Sequence, residues 1–229
     1  DDKVTTMNIL PALHKTMAAR FDKSMKVGNE GGGVVVDAGE AGKGLIGKTV
    51  GVAGGAMYSE YRCLSCDLCM EFPERISSEQ AASCFVNPMT ALGFMETRVM
   101  EEHDGIVHTA AGSNLGQMLT RLCESDGVPL VNIVRSDDQV DLLKALGSHW
   151  VLNCNDSKFM ENLVDAIEGA NASLAFDAIG GGRLLNRILT GMEIAATVKS
   201  PEWSRYGSTQ QKQAYVYGQL DLTPTVLTR

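Results

Sequence analysis

Two features between residues 106 and 135 have the residue types and the spacing to hold phosphate groups. The run Ala111, Gly112, Ser113, Asn114, Leu115, Gly116 follows the apolar stretch IVHT and precedes leucines at helical spacing. Set against G-x-G-x-x-G, it has alanine at the first place, serine at the second and glycine only at the third. These places serve a tight turn, close backbone approach to a pyrophosphate, and packing of the helix start on the strand. Alanine and serine are small enough for the first two, and a helix that starts behind such a turn offers free N–H groups to phosphate oxygens. The second feature is Arg135, nineteen residues after Gly116 and last in LVNIVR. An acidic residue there would accept from a ribose 2′-hydroxyl; an arginine fork, with Ser136 beside it as hydroxyl donor, suits a 2′-phosphate. The alternatives are an ordinary βα turn and a solvated strand-end arginine.

Further along, FDAIGGG brings Asp177, Ala178 and Gly180 to the end of another apolar run. In open α/β sheets ligands sit at that edge, so these residues either contact a cofactor or start a helix on a glycine turn. The four histidines lack metal or triad spacing. For His108, inside an apolar run, a satisfied core position is expected. Six cysteines occur, at 63, 66, 69, 84, 123 and 154, several in apolar contexts. Free thiols fit this pattern better than a disulfide framework.

The elements that must position these residues follow from periodicity. Residues 27–76 are dense in glycine and valine, which predicts a small barrel-like or sandwich-like unit with strands at Val34 to Val36 and Thr49 to Ala53. Before it lies an irregular lead-in with a short helix near Lys15 to Phe21. A helical pattern runs from Ser78, the expected N-cap, to Arg98, with a break at Asn87-Pro88. Strands then follow at Ile106 to Thr109, Leu130 to Val134, His149 to Leu152, Leu174 to Asp177 and Ala214 to Tyr217, separated by helices. Repeated βα units imply a Rossmann-like, doubly wound parallel sheet of α/β class. The 229 residues carry a formal net charge of −8, which argues against broad nucleic-acid binding. No apolar run is long enough to span a bilayer and the start lacks a signal-peptide pattern, so a soluble, cytoplasmic protein is expected. The missing initial methionine and the end soon after YVYG predict a fragment, truncated on both sides.

Taken together, VGNEGGGVVVDAG, GKTVGVAGGAMYSEYR, FVNPMTALGFMET, VHTAAGSNLGQML, LVNIVR, FDAIGGG and RYGSTQQKQAYVYGQLD resemble medium-chain dehydrogenase/reductases. The similarity is to the zinc-independent, NADPH:quinone oxidoreductase-like branch, and it covers nearly all of residues 26–221. The resemblance implies an incomplete GroES-like catalytic domain over 1–97 and a Rossmann-like NADP(H)-binding domain over 98–229. It also implies hydride transfer from NADPH to a quinone or conjugated carbonyl, and a homodimer at full length. Asn29 stands where zinc-using relatives carry a histidine ligand, and Val86, four residues before Thr90, stands where they carry a cysteine; an amide and an isopropyl group are poor or impossible zinc ligands. Cys63, Cys66 and Cys69 match the first three cysteines of the family's structural zinc lobe, but Ser77 occupies the fourth place, and strand cysteines are expected instead. The resemblance makes Asn29 a polar active-site residue and sets Asn87 and Thr90 beside the nicotinamide. It places Tyr217, Gly218 and Leu220 in the loop that holds the carboxamide, and leaves the polar insertion from Trp203 to Gln213 without a role. A low-activity NADPH-binding sensor or interaction protein and a zinc-dependent alcohol dehydrogenase are the rival readings.

Overall fold

Glycines set the course of the first sheet. The computed structural model, which describes residues 11, 14–24, 26–199 and 204–228, has a short helix α1 at His14–Met17 that continues as a 3-10 turn at Ala18–Arg20. This is the helix expected near Lys15 to Phe21; residues 1–10, 12, 13 and 25 of the lead-in lie outside the described residues. Strands β1 (Glu30–Val34), β2 (Thr49–Ala53) and β3 (Cys69–Glu71) form an antiparallel sheet in that order. The second strand lies where it was expected. The first lies at Glu30–Val34 and not at Val34 to Val36, and both valines are exposed.

The reason is steric. Gly32 pairs with Gly51, and the short helix α2 (Ser78–Ala81) lies directly on that pair. A Cβ on Gly32 would stand 2.3 Å from the Ser78 carbonyl oxygen, and one on Gly51 would stand 2.5 Å from Cys84 Sγ. Strand propensity favours valine, but this close approach requires glycine. The cap of α2 is Ser77, one residue before the expected Ser78. Its hydroxyl accepts from the Gln80 N–H while Gln80 Oε1 accepts from the Ser77 N–H, a reciprocal capping box.

The remaining elements are α3 (Val86–Met100), β4 (Gly105–Thr109), α4 (Asn114–Asp126), β5 (Leu130–Val134), α5 (Asp137–Ala145), β6 (Trp150–Asn153), α6 (Phe159–Ala170), β7 (Ala172–Asp177), α7 (Leu184–Lys199) and β8 (Gln213–Val216). The five strands are parallel, in the order β6-β5-β4-β7-β8. Pro88 sits in the first turn of α3, where its missing N–H breaks no helical bond. Every residue of β4, β5 and β7 is buried, as near-continuous apolar runs demand in a sheet covered on both faces. On one face Val107, Val131 and Ala175 pack against Phe159, Leu163 and Ile167 of α6 and Ile188 and Met192 of α7. On the other, Ile106, Leu130, Leu174 and Phe176 meet Phe94 of α3 and Leu115 and Leu119 of α4.

By contact density the chain divides into two units, Asp1–Phe85 and Val86–Arg229. The division precedes the expected 97/98 boundary because α3 buries Ala91, Phe94 and Met95 in the core of the parallel sheet. Of the insertion from Trp203 to Gln213, Trp203 lies outside the described residues. The segment after it is latched to α7: Glu193 meets Lys212 Nζ at 2.5 Å and accepts from the Ser208 N–H at 2.7 Å. The Lys212 and Ser208 hydrogen bonds hold the Glu193 carboxyl down at about 2. Among the described residues no helix is long and apolar enough to cross a membrane.

Candidate functional site

The turn between β4 and α4 is braced from within. Ala110 adopts φ +50, a left-handed conformation unfavourable for a residue with a Cβ, and its carbonyl accepts from the Ser113 N–H at 2.9 Å. Gln117 Nε2 donates to the Gly112 carbonyl at 3.1 Å, and Ser113 caps the helix by accepting from the Gly116 N–H at 3.2 Å. Ala111, Leu115 and Gly116 are buried, whereas Gly112 is half-buried and Ser113 and Asn114 are exposed. The outer half of the turn and the first N–H groups of α4 therefore present the polar surface; the Leu115 side chain belongs to the core. A Cβ on Gly116 would stand 2.2 Å from the Ala111 carbonyl oxygen, so this glycine is required for the helix to close on the strand. Gly116→Ala is expected to lower the stability of this unit by about 1–3 kcal/mol, the usual cost of overpacking. Urea denaturation checks this, and an unchanged midpoint would contradict it.

Arg135 leaves the end of β5 with both backbone groups held by side chains. Its N–H donates to Gln139 Oε1 at 3.2 Å, and its carbonyl accepts from Asn155 Nδ2 at 2.9 Å. Its guanidinium makes no hydrogen bond or ion pair with any described residue and is exposed. Ser136 is the N-cap of α5, yet its hydroxyl makes no cap bond. A fork of five donors and a free hydroxyl thus stand together at one sheet edge, with the phosphate-type turn at the end of the adjacent strand.

Across the switch in strand order, β4 and β7 are tied by a buried polar joint. Asp177, 1% exposed, accepts from the Thr109 hydroxyl at 2.7 Å, the Ile179 N–H at 3.0 Å and the Gly180 N–H at 3.1 Å. The Thr109 oxygen in turn accepts from the Ala178 N–H at 2.8 Å. The Asp177 carboxylate thus shapes its own loop. Sequence reasoning missed Thr109, the residue that completes the joint. The loop after β8 continues the ladder beyond the strands, with the Tyr217, Leu220 and Asp221 N–H groups donating to the carbonyls of Asp177, Ala178 and Ile179. Gly218 lies against Ala178, where a Cβ would stand 2.5 Å from the carbonyl oxygen. Ala178 and Gly180 are buried under this second loop and Leu220 is exposed, while Tyr217, 38% exposed, turns its phenol inward to His108.

His108 is fully buried on β4. Its Nε2 lies 2.8 Å from the Tyr217 hydroxyl, and the two rings stack at 5.9 Å. Its Nδ1 has no partner among the described residues, so the expected satisfied histidine is satisfied there at one nitrogen only. Burial pushes its pKa down to about 4. Burial, and then the charge of Asp177, pushes the Tyr217 phenol up to about 12.

The Ala111 to Gly116 turn, Arg135, Ser136, the loop from Asp177 to Gly180 and the Tyr217 to Leu220 loop thus share the carboxyl edge of one parallel sheet. Asn87 and Thr90 belong to the same unit, on α3, where the Thr90 hydroxyl donates to the Val86 carbonyl at 2.7 Å. Asn29 belongs to the smaller unit; it is exposed, and its carbonyl accepts from the Gly54 and Gly55 N–H groups. Of the three clustered cysteines, expected on a strand, only Cys69 is on one: Cys66 opens a 3-10 turn and Cys63 lies in a loop. All three are free thiols. Burial, followed by the neighbouring Cys66, raises the Cys69 thiol above its ordinary value. Among the described residues, no three His, Cys, Asp or Glu side chains gather as a metal site.

A parallel sheet of this order, with a small-residue turn after its first strand, defines a Rossmann-type unit. No family model matches the chain. The mitochondrial enoyl-[acyl-carrier-protein] reductase of Caenorhabditis elegans is 26% identical over 171 residues, covering 72% of this chain and 49% of that protein. Among solved structures, a protein designated an NADPH:quinone reductase from Mesorhizobium loti superposes with a TM-score of 0.71 at 27% identity, over 87% of this chain and 55% of that one. Escherichia coli quinone oxidoreductase complexed with NADPH shares the fold, with a TM-score of 0.60 at 22% identity, over 76% and 56% of the two chains. The chain spans about half the length of the curated relative it matches. In sequence and fold the chain is similar to NADPH:quinone oxidoreductase-like proteins of the medium-chain dehydrogenase/reductase superfamily.

Proposed function

We propose that the chain binds NADPH at the carboxyl edge of its parallel sheet and serves a reductase whose acceptor is a quinone or a conjugated carbonyl. The observation that carries this reading is the uncommitted Arg135 guanidinium beside the free Ser136 hydroxyl, at the strand end next to the turn. The residues fit the cofactor: Gly112, Ser113 and Asn114 with the first N–H groups of α4 would hold the diphosphate, and Arg135 and Ser136 the 2′-phosphate. Two relatives agree with it, a quinone oxidoreductase complexed with NADPH and an enoyl reductase. When bound, NADPH supplies the hydride; the protein orients the cofactor and stabilises charge developing on the acceptor oxygen. On this reading Ala178, Gly180, Tyr217, Gly218 and Leu220 form the wall beside the nicotinamide, with Asn87 and Thr90 of α3 as further polar groups. Residues 1–85 represent the GroES-like catalytic part, and Asn29 gives a hydrogen-bonding amide where zinc-using relatives place a ligand.

Steady-state oxidation of NADPH by a small panel of quinones, enals and enoyl thioesters tests the proposal. Turnover of at least one acceptor, with no equivalent of zinc in protein purified without chelator, is expected. Tight NADPH binding without turnover of any acceptor would favour a sensor or interaction role instead.

A further inference from the structure

Gln139 lies on α5, outside every motif, and touches both halves of the candidate site. Its Oε1 accepts from the Arg135 N–H at 3.2 Å. That bond fixes the orientation of the amide, because only the oxygen can accept, so the amino group is turned elsewhere. It lies at the phosphate-type turn: an ideal Cβ on Gly112 would stand 3.0 Å from Gln139 Cδ and 3.1 Å from its Cγ and Nε2. Gly112 thus leaves the space that Gln139 fills, and Nε2 hydrogen-bonds to no described residue. Asn155 Nδ2 completes the arrangement by holding the Arg135 carbonyl at 2.9 Å, while Gln117 Nε2 holds the Gly112 carbonyl on the other side. One side chain therefore joins the backbone that carries the guanidinium to the backbone that turns beneath the helix start.

We infer that Gln139 is a positioning and specificity-determining residue, which couples recognition of the 2′-phosphate by Arg135 to the geometry of the diphosphate turn. The inference rests on the NADPH reading given above. A flexible arginine discriminates well only when its backbone origin is fixed relative to the rest of the ligand. Gln139 fixes that origin against the turn, and Asn155 fixes it against β6 and the loop behind it.

The test is fluorescence titration of NADPH and NADH into the full chain and three variants, with thermal midpoints measured alongside. Gln139→Met keeps the packing against Gly112 and removes the acceptor; it should reduce the NADPH-over-NADH affinity ratio about tenfold, the scale of one neutral hydrogen bond. Asn155→Ala, acting from the other side of Arg135, should move the same ratio in the same direction. Gln213→Met breaks polar contacts at the opposite end of the sheet and should leave the ratio unchanged. If Gln139→Met and Asn155→Ala weaken both dinucleotides equally, or leave the ratio within twofold, the coupling role is overturned while the NADPH reading stands. A wild-type chain that shows no preference for NADPH overturns that reading, and the inference with it.

Discussion

Arg135→Asp is expected to invert the dinucleotide preference of the chain. The guanidinium is a strong cation at the end of β5, and no described partner competes for it. Its removal deletes charge-assisted hydrogen bonds worth roughly 1.5–3 kcal/mol, and the new carboxylate repels a phosphate in the same place. NADPH affinity should fall on the order of 100-fold or more. NADH should bind no worse and gain modestly, since an aspartate accepts from a 2′-hydroxyl. Parallel titrations of the two cofactors against wild type and variant measure both changes. If the preference survives the charge reversal, Arg135 is a solvated strand-end residue and the 2′-phosphate argument is lost.

The second large effect concerns pH. His108 is neutral in the folded protein, with its pKa pushed from an ordinary 6.5 down to about 4. In the unfolded chain the same imidazole takes up a proton near 6.5. Over the window from pH 6.5 to 4 the unfolded state therefore binds more protons, and stability falls as pH falls. A shift of this size corresponds to about 3 kcal/mol lost across the window. Urea midpoints measured at several pH values in that range, for wild type and for His108→Gln, isolate the histidine from carboxylates that titrate nearby. The wild-type curve should bend downward between pH 6.5 and 4 while the variant stays flatter. Parallel curves would show that His108 takes up its proton in the folded state at ordinary cost, through its unpartnered Nδ1 or by local opening around Tyr217.

The parallel sheet was largely legible in the sequence because its signals are local. LVNIV is a continuous apolar run with turn residues on both sides, and its strand begins and ends where the pattern says. Elsewhere the boundaries moved: β7 starts at Ala172 and not Leu174, β6 runs one residue later than expected, and β8 stops at Val216, which frees Tyr217 for the loop. The first strand was misplaced because propensity favours the valines of GGGVVV, whereas α2 needs the glycines. The rest of the site depends on partners far apart in the chain. Thr109 reads as the last residue of a strand until Asp177 is set beside it, and His108 reads as core until Tyr217 stacks on it. Gln139 reads as an ordinary helix-surface residue; only its contacts to Gly112 and Arg135 distinguish it.

The paired loops after β7 and β8 change how the edge of the sheet behaves. Their backbone ladder carries the hydrogen-bonding of the strands outward through Tyr217, Leu220 and Asp221, and the Val226 N–H closes it on the Gly182 carbonyl. Connecting segments are usually the loosest part of a fold, but here the rim is an extension of the sheet. It is a wall and not a lid. A molecule arriving at that edge meets a surface already formed, so its association costs little ordering of the protein on that side.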